Sequence, residues 1–219
     1  MEKVSILTPA QKLIFNKISK SDFLRSNFYF TGGTALSEFY LKHRYSEDLD
    51  FFSEKKFDFD TVASEISIWA KETGFTFKSQ LKEVVFIFFL KFRDKSSLKL
   101  DFGYYPHKRI KKGLKFKSFS VDSLTDIAVN KFVAIHQRSA AKDLTDLYFL
   151  LKKFTIWDLI NGAKIKFNME TDPFILSSDL AYAAENLDIL PKMIKPLKLP
   201  EMKKFFRELA VKLGRSAVK

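Results

Sequence analysis

The 219-residue sequence contains no cysteine, which excludes disulfide bonds and thiolate metal sites. It has only three histidines, and no two of them have the spacing of a metal-binding pair. The G-x-S-x-G pattern of serine hydrolases and the Walker A pattern of P-loop proteins are also absent. Serine hydrolases, zinc enzymes and P-loop nucleotide hydrolases therefore lose support.

Long apolar runs are missing as well. No run reaches the roughly 18–20 residues that cross a membrane. Residues 1–11 lack the basic and then apolar layout of a secretory signal. The absence of cysteine is typical of a reducing compartment. We therefore expect a soluble, cytoplasmic protein that has no membrane partner.

Positive charge dominates the composition. The formal net charge is +12, from 38 lysines and arginines against 26 aspartates and glutamates. Such a charge favours polyanionic partners, nucleic acid before an anionic membrane. A solvated basic surface without a partner is the alternative. Charge alone does not choose between RNA, DNA and an acidic protein.

Residues 28–53 contain the densest polar pattern. An aromatic strand over residues 28–31 leads into the turn Gly32-Gly33-Thr34, and a helix is predicted over residues 34–42. Backbone N–H groups and the positive helix end at such a turn suit a phosphate group. The alternative is an ordinary turn in which Thr34 is the N-cap of the helix.

Asp48 and Asp50 follow this helix in a second predicted strand, over residues 48–52. Residues two apart in a strand point to the same face, so the two carboxylates project together. Two adjacent carboxylates repel each other unless they share a cation such as Mg²⁺. Arg44 could contact a phosphate or pair with Asp48, and Ser46 could hydrogen-bond the same carboxylates.

Asp101 is a third candidate acid, in a predicted strand over residues 98–102. If this strand neighbours that of Asp50, three carboxylates meet at one sheet edge, as a two-metal phosphoryl-transfer site requires. Alternatively, Asp101 caps a turn before Gly103. Two further strands are expected over residues 75–82 and 84–92. The second of these is almost entirely apolar, which predicts a central strand covered on both faces.

The pattern changes near residue 120 from mixed α and β to helical. We therefore predict an α+β protein with an α/β core over residues 1–120 and a C-terminal helical region over residues 121–219. Flanking helices are expected over residues 8–19, where Thr8 and Pro9 form the start, and from Asp58 or Asp60 to residue 73. Later helices are expected over residues 123–139, 142–153, 157–166, 174–185 and 201–213.

Charged residues interrupt the apolar pattern of the first two C-terminal helices. Lys131 lies in an otherwise apolar helix and therefore needs an anionic partner, which could be Asp126, another buried acid or a substrate phosphate. Arg138 shares its face, and Asp143 and Asp146 share a face of the next helix. A salt-bridge network among Lys131, Arg138, Asp143 and Asp146 is expected, whether or not it also serves a site.

Four segments together resemble a known family. They are G-G-T-A-L, H-R-Y-S-E-D-L-D-F-F, K-L-D-F and K-F-V-A-I-H-Q-R-S-A-A-K-D-L-T-D-L-Y, within residues 31–148. They resemble the AbiEii/AbiGii toxins, a branch of the DNA polymerase β-like nucleotidyltransferases that forms type IV toxin–antitoxin systems. The resemblance implies a mixed sheet with flanking helices, followed by a helical bundle that completes the active cleft.

The resemblance also implies an activity, a Mg²⁺-dependent transfer of a nucleotide from an NTP to an acceptor such as the tRNA 3′ end. An antitoxin encoded nearby is the implied partner. Asp48, Asp50 and Asp101 would bind metal and act in catalysis with Lys131 and Asp143. The remaining candidates would bind the nucleotide; they are Gly32, Gly33, Thr34, Arg44, Ser46, Arg138 and Asp146.

The sequence departs from the family pattern at two positions, and two other functions are alternatives to the nucleotidyltransferase interpretation. Lys108 is the nearest lysine after Asp101, farther than in some relatives, and Lys142 stands where relatives often have arginine. A non-catalytic module that binds nucleic acid or a protein partner is one alternative. A transferase acting on a small molecule is the other, although a charge of +12 is unfavourable for a cationic substrate.

Overall fold

The computed structural model describes residues 5–138 and 140–217. A mixed sheet forms the first half of the chain, with the strand order β3-β4-β5-β2-β1-β7-β6. Its strands are β1 (Tyr29–Thr31), β2 (Leu49–Ser53), β3 (Thr76–Lys82), β4 (Val85–Lys91), β5 (Ser97–Tyr104), β6 (Lys115–Phe116) and β7 (Phe119–Val121). The β2–β5 and β1–β7 pairs are parallel, and the other pairs are antiparallel. The predicted α+β class is confirmed.

Helices accompany the strands and make up most of the second half. Before residue 120 they are α1 (Pro9–Ile18), α2 (Asp22–Asn27), α3 (Gly32–Ala35) and α4 (Phe59–Thr73). A π-helical segment, Leu36–Leu41, continues α3. Later helices are α5 (Leu124–Gln137), α6 (Ala141–Leu150), α7 (Ile156–Phe167), α8 (Pro173–Glu185) and α9 (Leu199–Ala217). The predicted end of α5, residue 139, lies outside the described residues.

Aromatic side chains build the core on one face of the sheet. Phe30, Phe51 and Phe102 come from the neighbouring strands β1, β2 and β5, and their rings stack in sequence at centroid distances of 5.0 and 5.6 Å. Phe15 of α1 covers this row, 5.1 Å from Phe30. All four side chains are almost fully buried. Because successive strand residues point to opposite faces, this apolar row leaves Asp50 and Asp101 on the other face.

The apolar strand β4 is not covered on both faces. It lies one position from the edge of the sheet, and Phe89 is 44% exposed. Ile87, Phe88 and Leu90 are buried. The prediction of a doubly covered central strand was therefore wrong, because an apolar run does not reveal what lies above each face of a sheet.

The chain divides into two compact units. The first comprises residues 1–40, 46–108 and 112–123, and the second comprises residues 41–45, 109–111 and 124–219. Two short segments that precede residue 120 thus belong to the second unit. In that unit, residues 43–45 join the loop after α8, with a 2.8 Å hydrogen bond from Tyr45 N to Lys192 O. None of the helices in the described residues is long and apolar enough to span a membrane.

Candidate active site

Two carboxylates of the first unit stand side by side on the sheet. Asp50 of β2 and Asp101 of β5 are register partners in a parallel pair, so both side chains project from the same face. Neighbouring strands are about 4.8 Å apart, which places the two acids within reach of one cation. Asp50 is half-buried, whereas only 8% of Asp101 is exposed. The predicted neighbourhood of these two strands is therefore present.

Gly32 packs directly against the Asp50 carboxylate. A Cβ atom added to Gly32 would lie 2.0 Å from Asp50 Oδ2, and the Gly32 φ angle of +75° is in the left-handed region. Only glycine satisfies both conditions without strain. The first glycine of the turn thus allows the close approach of the chain to the acid pair, a role that its sequence position alone did not reveal.

Thr34 occupies a different position from the one predicted. It lies inside α3, and the N-cap residue is Thr31, whose side chain makes no capping hydrogen bond. The Thr34 hydroxyl instead donates to the backbone carbonyl of Asp48, which fixes the chain just before β2. Gly33 and Thr34 are both buried.

Asp48 lies one residue before β2 and is half-buried. Within the described residues, no three histidine, aspartate or glutamate side chains are arranged to hold a metal ion. Asp50 and Asp101 are the two predicted carboxylates that strand pairing places side by side, and the metal-binding role of Asp48 stays a prediction. A pair suits Mg²⁺, since this ion usually takes one or two carboxylates together with water and substrate phosphate. The donor chemistry of the pair accordingly fits Mg²⁺.

Sequence reasoning missed two residues near this pair. The Lys99 ammonium group donates to Asp101 Oδ2, and the two residues are two apart on the same strand face. Because residues two apart in a strand share a face, the alternation along β5 would have predicted this ion pair. Asp122, which is fully buried, accepts a 2.8 Å hydrogen bond from the Thr31 hydroxyl beside Gly32. That contact joins residues 91 apart in sequence, so no local pattern indicates it.

The second unit contains a buried cluster of charges around Asp146. Its carboxylate accepts hydrogen bonds from Arg44 Nε at 2.6 Å and Nη2 at 2.8 Å, and it lies 2.7 Å from His43 Nε2. Lys131 Nζ lies 2.8 Å from Asp146 and 2.6 Å from Asp143. The partner of Arg44 is therefore Asp146, where the sequence suggested a phosphate or Asp48.

Arg138 completes this cluster at its exposed end. Its Nε atom donates to Asp143 at 2.9 Å, while 61% of its side chain is exposed. Asp143 and Asp146 are both fully buried, and only 8% of Lys131 is exposed. The predicted network among these four residues is confirmed, with His43 and Arg44 as two further members.

Burial and neighbouring charges shift the pKa values of three members of this cluster. Burial by itself would raise the pKa of Asp146, but the Lys131 charge and the hydrogen bonds from Arg44 and His43 hold that pKa well below its usual range. Burial would lower the pKa of Lys131, yet Asp146 and Asp143 raise it. Burial lowers the pKa of His43 against the opposing effect of Asp146. His43 is thus neutral at pH 7, and its Nε2–H group donates to Asp146.

Ser46 and Asp126, which the sequence also singled out, take part in contacts that stabilise the fold. The Ser46 carbonyl accepts a 2.8 Å hydrogen bond from Gln11 Nε2, which ties α1 to the segment before β2. Asp126, which was one candidate partner of Lys131, instead pairs with the buried Lys166 at 2.8 Å. The nucleotide-binding and catalytic roles assigned to the candidate residues stay predictions.

The sequence pattern described as "Nucleotidyl transferase AbiEii toxin, Type IV TA system" matches residues 16–210. This chain belongs to the AbiEii nucleotidyltransferase toxin family. An uncharacterized protein of Aquifex aeolicus (strain VF5) is 32% identical over 188 residues, which cover 83% of this chain and 85% of the relative. The resemblance stated from the sequence motifs is therefore confirmed.

Solved structures agree with the fold. The structure of JHP933 from Helicobacter pylori matches with a TM-score of 0.59 at 23% identity, and the match covers 97% of this chain and 95% of the JHP933 chain. A candidate nucleotidyltransferase from H. pylori has the same TM-score at 22% identity, with coverage of 97% and 98%. At these identities the likeness shows the fold. The chain is thus a member of a nucleotidyltransferase toxin family with the corresponding architecture.

Proposed function

We propose that this AbiEii-family protein transfers a nucleoside monophosphate from an NTP to an acceptor hydroxyl, with Mg²⁺ as cofactor. The acceptor that we propose is the 3′ end of tRNA. One observation carries the proposal. Asp50 and Asp101 lie side by side on one sheet face, with Gly32 against the Asp50 carboxylate. Two carboxylates brought together at a glycine turn are costly for folding alone, and a cation shared with a triphosphate offsets that repulsion.

The reaction is an in-line displacement at the α-phosphorus of the NTP. The acceptor hydroxyl oxygen forms a bond to that phosphorus, and the bond from the phosphorus to the oxygen bridging to the β-phosphate breaks. Pyrophosphate leaves with the electron pair, and the hydroxyl proton passes to a base. Bound Mg²⁺ would neutralise the phosphate charge. Asp50 and Asp101 would hold it, and the Asp101 carboxylate is the proposed proton acceptor.

Lys99 forms an ion pair with Asp101. Its ammonium group contacts Asp101 Oδ2, and a third of its side chain remains exposed, at 32%. Asp48 would assist from the segment just before β2, in the metal-binding role that the family resemblance implies.

Arg138 of the second unit is a proposed nucleotide-binding residue, as the family resemblance implies. Its guanidinium group is anchored by Nε to Asp143, and most of the side chain is exposed. A guanidinium group in this state suits a phosphate group. Lys131 and Asp143 would support Arg138 from inside the cluster. The antitoxin partner follows from family membership, and we propose that it is encoded beside this protein.

The test is an assay with labelled NTPs, Mg²⁺ and total tRNA. The wild-type protein should label tRNA and release pyrophosphate, and EDTA should stop both. Asp101→Asn should abolish labelling, because it removes a metal ligand and the proton acceptor. Asp188→Asn, which changes an exposed acid far along the chain, is the matched control and should remain active.

The assay also separates the alternatives. Labelling of a protein or a small molecule in place of tRNA would keep the transferase and replace its acceptor. Absence of any transfer, together with a melting temperature unchanged by NTP and Mg²⁺, would contradict the proposal. It would instead favour a non-catalytic binding module, since a ligand that binds the native state must raise its stability.

A further inference from the structure

The segment of residues 108–117, here called the basic segment, carries six cations and no acid. Its sequence is K-R-I-K-K-G-L-K-F-K, and no aspartate or glutamate occurs between Asp101 and Asp122. It begins four residues after β5, the strand that holds Asp101. The net charge of +12 is thus concentrated most strongly in the stretch that follows a proposed metal-binding strand.

The five lysines of the basic segment are exposed and have no carboxylate partner among the described residues. Lys117 donates to the amide oxygen of Asn16, and the other four are Lys108, Lys111, Lys112 and Lys115. Two other exposed cations, by contrast, do have acidic partners. Arg207 forms a fork with Glu185 at 2.6 and 2.9 Å, and Lys164 lies 2.8 Å from Glu170. The four lysines are therefore available to an external anion.

A buried acid fastens the middle of the basic segment. Asp126 is fully buried and accepts hydrogen bonds from the backbone N–H groups of Ile110 at 2.8 Å and Lys111 at 3.0 Å. The Lys166 ammonium group balances its charge at 2.8 Å. Because Asp126 binds the backbone and not the side chain of Lys111, the lysine itself stays exposed.

The second half of the basic segment is also fixed. Gly113 packs so closely that an added Cβ atom would lie 1.9 Å from the Val121 carbonyl oxygen. Val121 N donates to Leu114 O at 2.8 Å, and Lys115 pairs with Ser120 in the β6–β7 ladder. A basic stretch held by its backbone loses little conformational entropy when its side chains bind a ligand.

We infer that the basic segment binds the phosphodiester backbone of an RNA, and this inference rests on the proposed transfer to tRNA. An RNA strand carries one negative charge at every nucleotide, so it matches a run of cations that no acid interrupts. Lysine binds phosphate as a point charge without demanding a particular base. The basic segment thus holds the acceptor strand by its backbone, independently of sequence.

The experiment measures binding of total tRNA without NTP at several salt concentrations. The variant K108Q/K111Q/K112Q/K115Q removes four proposed contacts, and K55Q/K56Q/K204Q/K212Q removes four exposed charges elsewhere as the matched control. We expect the first variant to bind about ten-fold or more weakly at 0.1 M salt, and its slope of log K against log salt to fall by about 3. The control should keep most of the slope.

Transfer kinetics provide a second readout. The first variant should raise the KM for tRNA and leave the KM for NTP unchanged, because the lysines contact the acceptor alone. Equal loss of binding in the two variants would overturn the inference, since net charge would then suffice. Tighter binding of polyglutamate than of tRNA by the wild-type protein would also overturn it and would point to an acidic protein partner.

These results separate the inference from the function on which it rests. Wild-type protein that binds tRNA through the four lysines but transfers no nucleotide would refute the transferase and keep the RNA-binding segment. Wild-type protein that labels tRNA, while both lysine variants bind it equally well, would refute the segment and keep the transferase.

Discussion

Each unit of this protein contains a pair of aspartates, and the two pairs have opposite surroundings. In the first unit, Asp50 and Asp101 stand beside each other on a sheet, with one lysine near Asp101. In the second unit, Asp143 and Asp146 are fully buried among the donors of Lys131, Arg44, Arg138 and His43. The first pair lies on a sheet face where Asp50 is half-buried, whereas the second pair is fully enclosed together with cations of the chain.

The comparison shows why spacing alone is a weak guide to the function of an acid. Asp48 and Asp50 are two apart in a strand pattern, and Asp143 and Asp146 are three apart on a helix. Both spacings predict a shared face. What distinguishes Asp50 from Asp143 and Asp146 is burial, because Asp50 is half-buried on a sheet face and the two helical acids are fully buried. We therefore expect changes in the first pair to affect activity and changes in the second to affect stability.

The largest effect is expected from Asp50→Asn. Loss of one carboxylate should lower the rate of nucleotide transfer by at least about 10³-fold, which corresponds to about 4 kcal/mol, because the metal loses one of its few protein ligands. The urea midpoint of unfolding should stay the same or rise, since one of two repelling charges is removed. Steady-state assays measure the rate of transfer, and urea denaturation measures the midpoint of unfolding. A variant with full activity would exclude Asp50 from the site.

Asp146→Ala should have the largest effect on stability. It leaves the buried Arg44 and Lys131 without their shared acceptor, which should lower the free energy of unfolding by about 3–5 kcal/mol. Urea denaturation measures the change, and Asp188→Ala is the exposed control. Adding Lys131→Met should recover part of the loss, because it removes one unpaired cation. An Asp146→Ala protein as stable as the wild type would refute a structural role for the cluster.

Gly32→Ala should lower both the rate of transfer and the stability, each by less than the variants above. The added methyl group would lie 2.0 Å from Asp50 Oδ2, so the carboxylate must move, and transfer should slow by about 10²-fold. The left-handed backbone should lower the free energy of unfolding by about 1–2 kcal/mol. Gly214→Ala lies inside helix α9, with Ser177 Oγ as the nearest atom at 3.3 Å. It should leave the rate of transfer unchanged and should keep or raise the free energy of unfolding, by up to about 1 kcal/mol. Similar kinetics for the two variants would refute the proposed role of Gly32.

The smallest effect concerns pH. The folded state lowers the pKa of His43, so as pH falls below about 6.5 the unfolded chain binds the proton more readily and stability declines. The depressed pKa of Asp146 causes a separate decline as pH falls below about 5. His43→Gln keeps a donor to Asp146 and should flatten the curve between pH 7 and 5.5, by at most about 1.4 kcal/mol per pH unit. Identical slopes in the wild type and the variant would contradict this assignment.

Most of the strands and helices were readable from local patterns, whereas β7, which pairs with β1, was not predicted. The start of α1 at Thr8 and Pro9 follows the prediction and includes a capping box with Gln11. The boundaries of the strands around Asp50 and Asp101 differ from the predicted ones by no more than two residues. Capping, alternation and helical periodicity are interactions between residues close in sequence, so the sequence by itself determines them.

Contacts between distant residues decided the rest. The pairing of β2 with β5 places Asp50 next to Asp101, and the Arg44–Asp146 fork joins residues 102 apart. Gly32 packs against Asp50, and Asp126 fastens the basic segment, through backbone geometry that no residue spacing encodes. The sequence determined which charged groups this protein has. Only the tertiary structure decided which of them neutralise each other and which can still bind a ligand, because that depends on distances across the fold.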